Sequence, residues 1–401
     1  MQSVPTPPEW SRDIFSVGVT GTNGKTTTTA QIAAILEATL PVAAGGGVFR
    51  ATTVGYFLGN RELTVERSYE GFIGALDDAR QHGCRYAALE MTSEALARGF
   101  ARAWPCRVGV FTNLTHDHLD AHQNPEHYLA SKAQLFVTLP GDGTAVLNAA
   151  DETAPLLREI LPNGVRVLSY ATLPEGGLEA LALPPSLTTS SVRVTRKGTH
   201  ALLTAHDPAL GLDRPVEVHV RGIGVPFMEN GMAAILGAYA AGAPLAAAIE
   251  ALAGAPVPPG RFELVDDAGT VAVDYAHTPD AIERTLATAR ALALHVTVVF
   301  GAGGDRDRAK RPLMGRAASS ASRVVITTDN PRSEAPRAIA DAIAAGVEGS
   351  AKPEIVLDRK EAIRRAILEA PPGGLVLLLG KGHEKVPFSD VDVAREVLAA
   401  K

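Results

Sequence analysis

The sequence predicts an α/β protein built from two consecutive units, each around a mostly parallel sheet. Three observations predict this class. Short apolar runs alternate with helical runs along most of the 401 residues, as they do in βαβ proteins. A glycine-rich turn joins the first apolar run to the first helical run. Residues 253–260 are rich in Pro and Gly, which end the preceding helix and favour an extended link between the units.

The first unit is expected over residues 14–257, after an N-terminal arm of residues 1–13. Its expected strands include residues 14–19, 86–89 and 107–111, and its expected helices include residues 28–38 and 126–136. Residues 164–222 have a different pattern, with strand-like runs at 192–195, 201–204 and 216–220. These runs predict a small antiparallel patch that is inserted in the parallel sheet or appended to it.

The second unit is expected over residues 258–401. Its apolar, strand-like runs are residues 271–274, 296–300, 324–327, 354–357 and 375–379. Helical runs such as 281–294 and 359–370 separate them. This order predicts a second, Rossmann-like doubly wound domain.

The composition limits the class of protein. Hydrophobic residues make up 46% and charged residues 20% of the chain, which is ordinary for a globular protein. The formal net charge of −6 gives no reason to expect a nucleic acid partner. Cys84 and Cys106 fit no metal-binding spacing, so we expect small buried thiols in a reducing compartment. We expect a cytoplasmic protein, because the sequence has neither a signal-peptide pattern nor an apolar run that could span a bilayer.

The turn between the first strand and the first helix has the composition of a phosphate-binding loop. It reads Thr-Gly-Thr-Asn-Gly-Lys-Thr-Thr over residues 20–27. Such a turn lets backbone N–H groups and the helix N-terminus converge on an anion. Lys25 supplies a mobile charge for the outer phosphates, and Thr26 supplies a hydroxyl for the accompanying Mg²⁺. The strict P-loop pattern has Gly at the position of Val19, yet the loop still predicts a bound nucleoside triphosphate.

Further motifs follow this loop in a fixed order. They are Leu-Glu-Met-Thr-Ser at 89–93, Thr-Asn-Leu-Thr-His-Asp-His at 112–118, Tyr-Leu-Ala-Ser-Lys at 128–132, Asp-Tyr-Ala-His-Thr-Pro-Asp at 274–280, Gly-Ala-Gly-Gly-Asp-Arg-Asp at 301–307, Asp-Asn-Pro-Arg at 329–332 and Gly-Lys-Gly-His-Glu at 380–384. In this order they resemble the ATP-dependent Mur ligases, and they are most similar to the MurE type. The resemblance runs from about residue 17 to the C-terminus.

The resemblance implies a reaction in peptidoglycan synthesis. In this family, ATP converts an acceptor carboxylate into an acyl phosphate, which an amino group then attacks to form an amide. For the MurE type, the acceptor is UDP-MurNAc-L-Ala-D-Glu and the amine belongs to a diamino acid. The Asp-Asn-Pro-Arg motif resembles the signature of members that select meso-diaminopimelate. The fold implied is a P-loop Mur ligase central domain followed by a Rossmann-like C-terminal domain that binds the incoming amino acid.

The resemblance also implies two Mg²⁺ sites beside the nucleotide. Lys25 would hold the outer phosphates, Thr26 and Glu90 would bind the first Mg²⁺, and His118 would help to bind the second. Lys132 would be carbamylated by CO₂, which turns a cation into an anionic oxygen donor for the metal. From the residues alone, an ordinary helix-surface lysine is the simpler interpretation of Lys132. The histidines and aspartates of residues 116–120 are also compatible with a transition-metal cluster.

The remaining site residues are implied in two groups. The nucleotide would contact Gly21, Thr22, Asn23, Gly24, Lys25, Thr26, Thr27, Asn230, Arg261, Asp274 and Asp305. The amino acid would contact Arg306, Asn330, Arg332, Gly380 and Glu384. Arg332 would clamp a distal carboxylate in bidentate fashion, and Glu384 would face an ammonium group. Two structural alternatives stay open: Arg261 could pair with Asp274 at the domain interface, and Arg332 could cap a turn.

The acceptor side departs from the family pattern. The sequence begins almost directly at the phosphate loop, without the usual N-terminal domain that grips UDP. Residues 66–70 replace a Thr-Thr-Pro acceptor contact, and Thr92-Ser93-Glu94 replaces Ser-Ser-His. A family paralogue with another carboxylate acceptor, similar to folylpolyglutamate or cyanophycin synthetases, is therefore the alternative. A non-catalytic nucleotide-binding subunit is a second alternative. We expect small-molecule substrates, no nucleic acid, no membrane span and a monomer, with a separate acceptor-binding partner as an open option.

Overall fold

Two sheets organise the part of the chain that the computed structural model describes, which is residues 4–41, 46–115, 124–349, 353–384 and 387–401. The larger sheet contains β1 (Phe15–Thr20), β2 (Phe49–Ala51), β3 (Tyr56–Leu58), β4 (Arg61–Leu63), β5 (Tyr86–Glu90), β6 (Val108–Phe111), β7 (Thr144–Asn148), β8 (Arg166–Thr172), β9 (Leu187–Thr195), β10 (Gly198–Ala205) and β11 (Val216–Val220). Its helices are α1 (Lys25–Thr39), α2 (Tyr69–Gln81), α3 (Ser93–Ala97), α4 (Phe100–Ala103), α5 (Pro125–Val137), α6 (Ala154–Glu159), α7 (Val225–Ala240) and α8 (Leu245–Leu252). Short 3-10 helices lie at Glu9–Asp13, Gly177–Ala180 and Pro208–Leu210. We call this part the central unit.

The smaller sheet follows in sequence. It contains β12 (Glu263–Leu264), β13 (Val271–Asp274), β14 (Val296–Phe300), β15 (Arg323–Ile326), β16 (Glu354–Ile355) and β17 (Leu375–Leu379). Its helices are α9 (Pro279–Leu292), α10 (Lys310–Ala318), α11 (Pro336–Ala344), α12 (Arg359–Leu368) and α13 (Asp390–Ala399). We call this part the C-terminal unit. None of the helices described in either unit combines the length and apolar character needed to cross a membrane.

The larger sheet is parallel in its middle and antiparallel at both ends. The strand order is β11-β10-β9-β8-β7-β6-β1-β5-β2-β3-β4. The predicted antiparallel patch is confirmed, and it is appended at one edge, where β9, β10 and β11 pair in antiparallel fashion. One expectation needs correction: β8 lies within the span assigned to the patch but pairs in parallel with both β7 and β9. The antiparallel β2-β3-β4 edge was not predicted, because each strand has only three residues.

The smaller sheet has the order β12-β13-β17-β14-β15-β16 and is parallel except at β12. Alternate residues of its strands face two cores, as a doubly wound sheet requires. In β17, Leu377 belongs to a core that is continuous with that of the central unit. Leu378 belongs to a separate core with residues of α12 and α13. The prediction of a Rossmann-like second unit is therefore confirmed.

A buried ion pair joins the starts of α12 and α13. The Arg359 guanidinium donates to both Asp390 carboxylate oxygens, at 2.9 and 2.6 Å, and its Nη2 also donates to the Leu379 carbonyl. The side chains are 4% and 0% exposed. Replacing Asp390 with Ala is expected to lower the free energy of unfolding by about 3–5 kcal/mol, because it leaves a buried guanidinium without its partner. Urea unfolding followed by circular dichroism measures the loss.

The matched control for this prediction is Asp392→Ala in the same helix turn. Asp392 is exposed and contributes mainly through the helix dipole, so its loss should be below about 1 kcal/mol. Equal losses in the two variants would contradict a stabilising role for the buried pair.

Candidate active site

The phosphate loop has the backbone geometry that its glycines predict. It connects β1 to α1, and Gly24 stands at the helix N-cap with φ of 86°. A Cβ on Gly24 would lie 2.2 Å from Oδ1 of Asn230, and a Cβ on Gly21 would lie 1.9 Å from Oγ1 of Thr112. The loop therefore passes so close to its neighbours that side chains at these two positions are excluded. Among the described residues no side chain caps α1, which leaves its first N–H groups available to an anion.

Two lysines approach this loop from different directions. Lys25 Nζ donates to the carbonyls of Gly21 and Thr22 at 3.1 and 2.8 Å. Lys132, on α5, is 0% exposed, and its Nζ donates to the same Gly21 carbonyl at 2.7 Å. Lys132 Nζ also lies 4.2 Å from the centre of the Tyr128 ring. The alternative of an ordinary helix-surface lysine at position 132 is therefore wrong, because the side chain is buried against the loop.

An oxygen-rich cluster lies beside the loop. Thr26 Oγ1 donates to the Glu90 carboxylate at 2.9 Å, and the Thr53 backbone N–H donates to the same oxygen at 3.0 Å. Hydroxyl and carboxylate oxygens are the ligands that Mg²⁺ prefers, so this donor set fits the implied ion. Thr53 was missed from the sequence. It follows β2, a strand too short to be recognised there, and only the pairing of β2 with β5 brings it to Glu90.

The second implied metal site includes His118. His118, with residues 116–123 as a whole, lies outside the described residues. Its proposed metal role therefore remains a prediction. The described residues contain no cluster of three or more His, Cys, Asp or Glu side chains that could hold a metal ion.

A cleft between the two units contains most of the implied nucleotide residues. Its cavity volume is about 340 Å³, and its lining includes the loop residues Thr22, Asn23, Gly24, Lys25, Thr26 and Thr27, together with Glu90, Lys132, Asn230, Arg261 and Asp274. Asn230 is buried on α7 with its amide oxygen against Gly24. The apolar residues Ile223, Phe227 and Phe262 also line the cleft. The cleft thus combines a phosphate-binding end with apolar walls suited to a planar base.

On the C-terminal side of the cleft, Asp274 and Arg261 make separate contacts. The Asp274 carboxylate accepts the backbone N–H groups of Phe262 and Ala276, each at 2.7 Å. Burial raises the pKa of Asp274, and the Arg261 charge and these hydrogen bonds oppose that rise. The Arg261 guanidinium carbon lies 4.6 Å from the centre of the Tyr275 ring. Among the described residues Arg261 influences Asp274 through its charge without a hydrogen bond, and its buried Nε has no hydrogen-bond partner, so the alternative of a direct Arg261–Asp274 pair is not met.

His383, in the Gly-Lys-Gly-His-Glu motif of residues 380–384, has no role that the sequence predicts. Its ring lies 5.4 Å from that of Tyr275, and its Nδ1 is buried without a partner among the described residues. Burial lowers the pKa of His383, and the nearby Arg261 lowers it further. Gly260 permits this arrangement, because a Cβ there would lie 2.2 Å from the His383 backbone nitrogen. His383 therefore lies between Gly260 of the inter-unit link and Tyr275, which lines the cleft.

The implied amino acid residues lie on three adjoining loops of the C-terminal unit, at residues 301–306, 329–334 and 380–384. Gly304 N–H donates to the Asn330 carbonyl at 2.8 Å, and the Arg332 guanidinium donates to the Gly304 carbonyl. Arg332 has φ of 48°, which is uncommon for a residue with a side chain. Arg332 therefore joins the first two loops and does not cap a turn within its own loop.

Asp305 belongs to this loop cluster and is absent from the nucleotide cleft lining. Its carboxylate accepts the Ser333 hydroxyl at 2.7 Å and the Ser333 N–H at 3.1 Å. These hydrogen bonds lower the pKa of Asp305. Glu334 accepts the Asp305 N–H at 2.6 Å, and the hydrogen bonds from Arg311 hold the pKa of Glu334 at about 2. Asp305 thus fixes the relative position of two loops.

The third loop brings the Glu384 carboxylate close to Asp329 and Arg332 of the second loop. Burial, and then the charge of Asp329, raise the pKa of Glu384, while Lys381 and Arg332 lower it. Gly380 lets its loop approach, because a Cβ there would lie 2.9 Å from Asp329 Oδ2. The loop cluster therefore presents both carboxylates and guanidinium groups, which suits a substrate that carries ammonium and carboxylate groups together.

Comparison with known proteins is consistent with this geometry. A family model described as the Mur ligase middle domain matches residues 19–238, and one described as the Mur ligase, glutamate ligase domain matches residues 260–382. A protein of Synechococcus elongatus named UDP-N-acetylmuramoyl-L-alanyl-D-glutamate–2,6-diaminopimelate ligase is 39% identical over 404 residues, which are 96% of this chain and 76% of the relative. A protein of the same name from Thermosynechococcus vestitus is 38% identical over 408 residues, or 97% of this chain and 77% of the relative. A solved structure with that name aligns with a TM-score of 0.64 and 29% identity, over 96% of this chain and 78% of the other.

Proposed function

The chain belongs to the Mur ligase family, an ATP-dependent ligase family, and from this premise we propose that it adds meso-diaminopimelate to UDP-MurNAc-L-Ala-D-Glu in peptidoglycan synthesis. One observation carries the proposal. The phosphate loop and the Thr26–Glu90 oxygen pair line one cleft together with Tyr275 of the C-terminal unit, and burial followed by the charges of Glu384 and Asp329 raises the pKa of Tyr275. This contact supports the proposal that the nucleotide residues and the loops with Arg332 and Glu384 work at one inter-unit boundary.

Different residues would serve different parts of the reaction. An acceptor carboxylate oxygen bonds to the γ-phosphorus while the bond to the ADP oxygen breaks, and the amine then attacks the acyl carbon, loses a proton and displaces phosphate. Lys25 would leave its loop carbonyls to hold the outer phosphates as negative charge accumulates. Thr26 and Glu90 would hold Mg²⁺, which neutralises phosphate charge when it is bound. Closure of the cleft would exclude water and protect the acyl phosphate.

Lys132 is proposed to act as a carbamate, within a second Mg²⁺ site that also involves His118. The support is its position: the side chain is fully buried, and its Nζ lies 2.7 Å from the Gly21 carbonyl. Tyr128 covers the same region and donates through its hydroxyl to Thr22 Oγ1 at 3.2 Å. A neutral amine that reacts with CO₂ gains an anionic end, which can face a metal where an ammonium group would be repelled.

The choice of amino acid is proposed to depend on Arg332. Replacing Arg332 with Ala is expected to lower kcat/KM for meso-diaminopimelate on the order of a hundredfold, because the distal carboxylate loses a bidentate cation. We expect a low kcat/KM for lysine, which lacks that carboxylate, and this value should change by no more than a few-fold. Parallel assays of the two amino acids measure the ratio. Arg337→Ala, at an exposed arginine of α11 that pairs with Asp341, is the control. An equal fall for both amino acids would contradict the assignment.

A second candidate is a family paralogue that uses another carboxylate acceptor. The observation that favours it is Arg67, in the segment where the acceptor contact departs from the family pattern. Arg67 Nη2 donates to the Thr53 carbonyl at 3.1 Å, so a guanidinium group stands next to the Thr53–Glu90 contact. A cation at this place would suit an acceptor with an additional acidic group.

One experiment tests the proposed function against this candidate. The protein is incubated with ATP, Mg²⁺, a panel of amino acids and several carboxylate acceptors, and phosphate release and product mass are recorded. We expect the tripeptide product with UDP-MurNAc-L-Ala-D-Glu and meso-diaminopimelate. A product only with another acceptor would replace the proposal by the paralogue. Phosphate release with no amide product would reject ligation of any amino acid in the panel.

A further inference from the structure

The phosphate loop is held from both units, and Asn23 is the residue where the two sets of contacts meet. Its backbone is fixed within the central unit: its N–H donates to Asn113 Oδ1 at 2.9 Å, and its carbonyl accepts Thr112 Oγ1 at 2.6 Å. Its side-chain amide instead contacts the C-terminal unit. Nδ2 donates to Asp280 Oδ2 at 3.0 Å, with Thr115 Oγ1 at 3.5 Å as a weaker partner. The orientation of the Asn23 amide is therefore set mainly by a carboxylate of the C-terminal unit.

Asp280 belongs to one face of α9 that packs along the nucleotide cleft. One helical turn further, Arg284 forms an ion pair with Glu229, the neighbour of Asn230 on α7. The Glu229 carboxylate raises the pKa of Arg284, and Asp280 contributes to the same rise. One turn further again, Thr288 packs on Gly224, where a Cβ would lie 2.4 Å from the threonine hydroxyl. Residues 280, 284 and 288 thus form a continuous contact from the phosphate loop to the start of α7.

The Arg284 charge determines whether the negative charge or the hydrogen bond of Asp280 dominates its contact with Asn23. A carboxylate next to a triphosphate site would weaken nucleotide binding if it were uncompensated. Arg284, on the same helix face, offsets the charges of both Asp280 and Glu229. The favourable part of the Asp280 contact is therefore its acceptance of the Asn23 amide hydrogen, and its negative charge is tolerated.

We propose that Asp280 is a positioning residue that couples docking of the C-terminal unit to the geometry of the phosphate loop. The coupling rests on the proposed function, since it concerns the ligation step. When α9 is docked, the Asn23 amide is fixed and the loop N–H groups are held on the phosphates. When α9 is undocked, the loop loses this partner. Phosphoryl transfer is then favoured in the docked state, which is also the state that brings the amino acid loops to the cleft.

Kinetics and nucleotide binding of four variants test the coupling. The variants are Asp280→Ala, Asp280→Asn, Asn23→Ala and the double Asn23→Ala/Asp280→Ala, with Glu283→Ala as the control on an exposed position of the same helix. We expect Asp280→Ala to lower kcat about tenfold, with less than about a threefold change in Kd for ADP measured by calorimetry. Asp280→Asn should retain kcat within about twofold, because an amide oxygen accepts the same hydrogen bond. The double variant should be no slower than Asn23→Ala alone.

Three kinetic results would overturn the proposal. They are an equal loss for Asp280→Asn and Asp280→Ala, multiplicative losses in the double variant, and a loss in Glu283→Ala that matches Asp280→Ala. Hydrogen–deuterium exchange gives a readout that does not depend on ligation. In the wild type, ADP should protect both the loop and α9, whereas in Asp280→Ala it should protect the loop alone. Protection of α9 in both proteins would also overturn the coupling, while a wild type that forms no amide would reject only the proposed function.

Discussion

Replacing Glu90 with Gln is expected to lower kcat by about three orders of magnitude at saturating ATP. The carboxylate supplies the negative charge of the Thr26–Glu90–Thr53 oxygen cluster, and an amide at this position binds Mg²⁺ far more weakly. The phosphates then lose the cation that offsets the charge developed during phosphoryl transfer. Phosphate release, recorded at rising Mg²⁺ concentrations, measures both the loss and its partial recovery at high Mg²⁺.

The fold should survive the Glu90→Gln substitution, because the remaining amide oxygen can still accept from Thr26 and Thr53. Circular dichroism and the melting temperature check this. Glu62→Gln is the control, since Glu62 is an exposed residue of β4. Normal activity of Glu90→Gln at every Mg²⁺ concentration would exclude Glu90 as the metal-binding carboxylate.

Removing CO₂ from the buffer is expected to inactivate the wild-type protein reversibly, and replacing Lys132 with Ala to inactivate it permanently, each by about a thousandfold. The physical reason is the same in both cases. Without the carbamate, the buried position beside Gly21 holds either an ammonium group that repels the metal or no ligand at all. Added bicarbonate should restore the wild type within the assay and leave Lys132→Ala unchanged.

Lys197→Ala, at an exposed lysine in the turn between β9 and β10, is the control for this second prediction. It should respond to CO₂ removal as the wild type does. A wild-type protein with a bare Lys132 amine by mass spectrometry and full activity without CO₂ would refute the carbamate.

The elements that carry the nucleotide site follow from local sequence rules. The loop needs glycine where φ is 86° at Gly24 and where Gly21 passes Thr112, and both glycines can be identified from the pattern alone. The same holds for the parallel core strands, whose apolar runs are long enough to be recognised. β2, β3, β4 and β12 were not recognised, because two or three residues carry too little pattern and their pairing partners are distant in sequence.

Some residues of the candidate site could likewise be assigned from the sequence, and others could not. Glu90 and Lys132 could be assigned through motifs whose spacing is local. Thr53 could not, because nothing near it in sequence indicates that the β2–β5 pairing brings it to Glu90. Asp305 was expected at the nucleotide, yet its hydrogen bonds with Ser333 tie it to the loop of residues 329–334, away from the lining of the cleft. A motif gives the residue type, and the packing of loops decides which neighbour that residue meets.

The sequence by itself determined the phosphate loop, the two-unit α/β order and the family, because each is indicated by short runs or motifs within which the residues are close together, and by the order of those runs along the chain. Only the tertiary structure decided that Lys132 is buried, that Thr53 joins Glu90, and that Asp280 reaches Asn23 from the other unit. These contacts span up to 257 residues of sequence. The physical reason is that a hydrogen bond across such a separation depends on how two packed units meet, and no local preference of the backbone encodes that geometry.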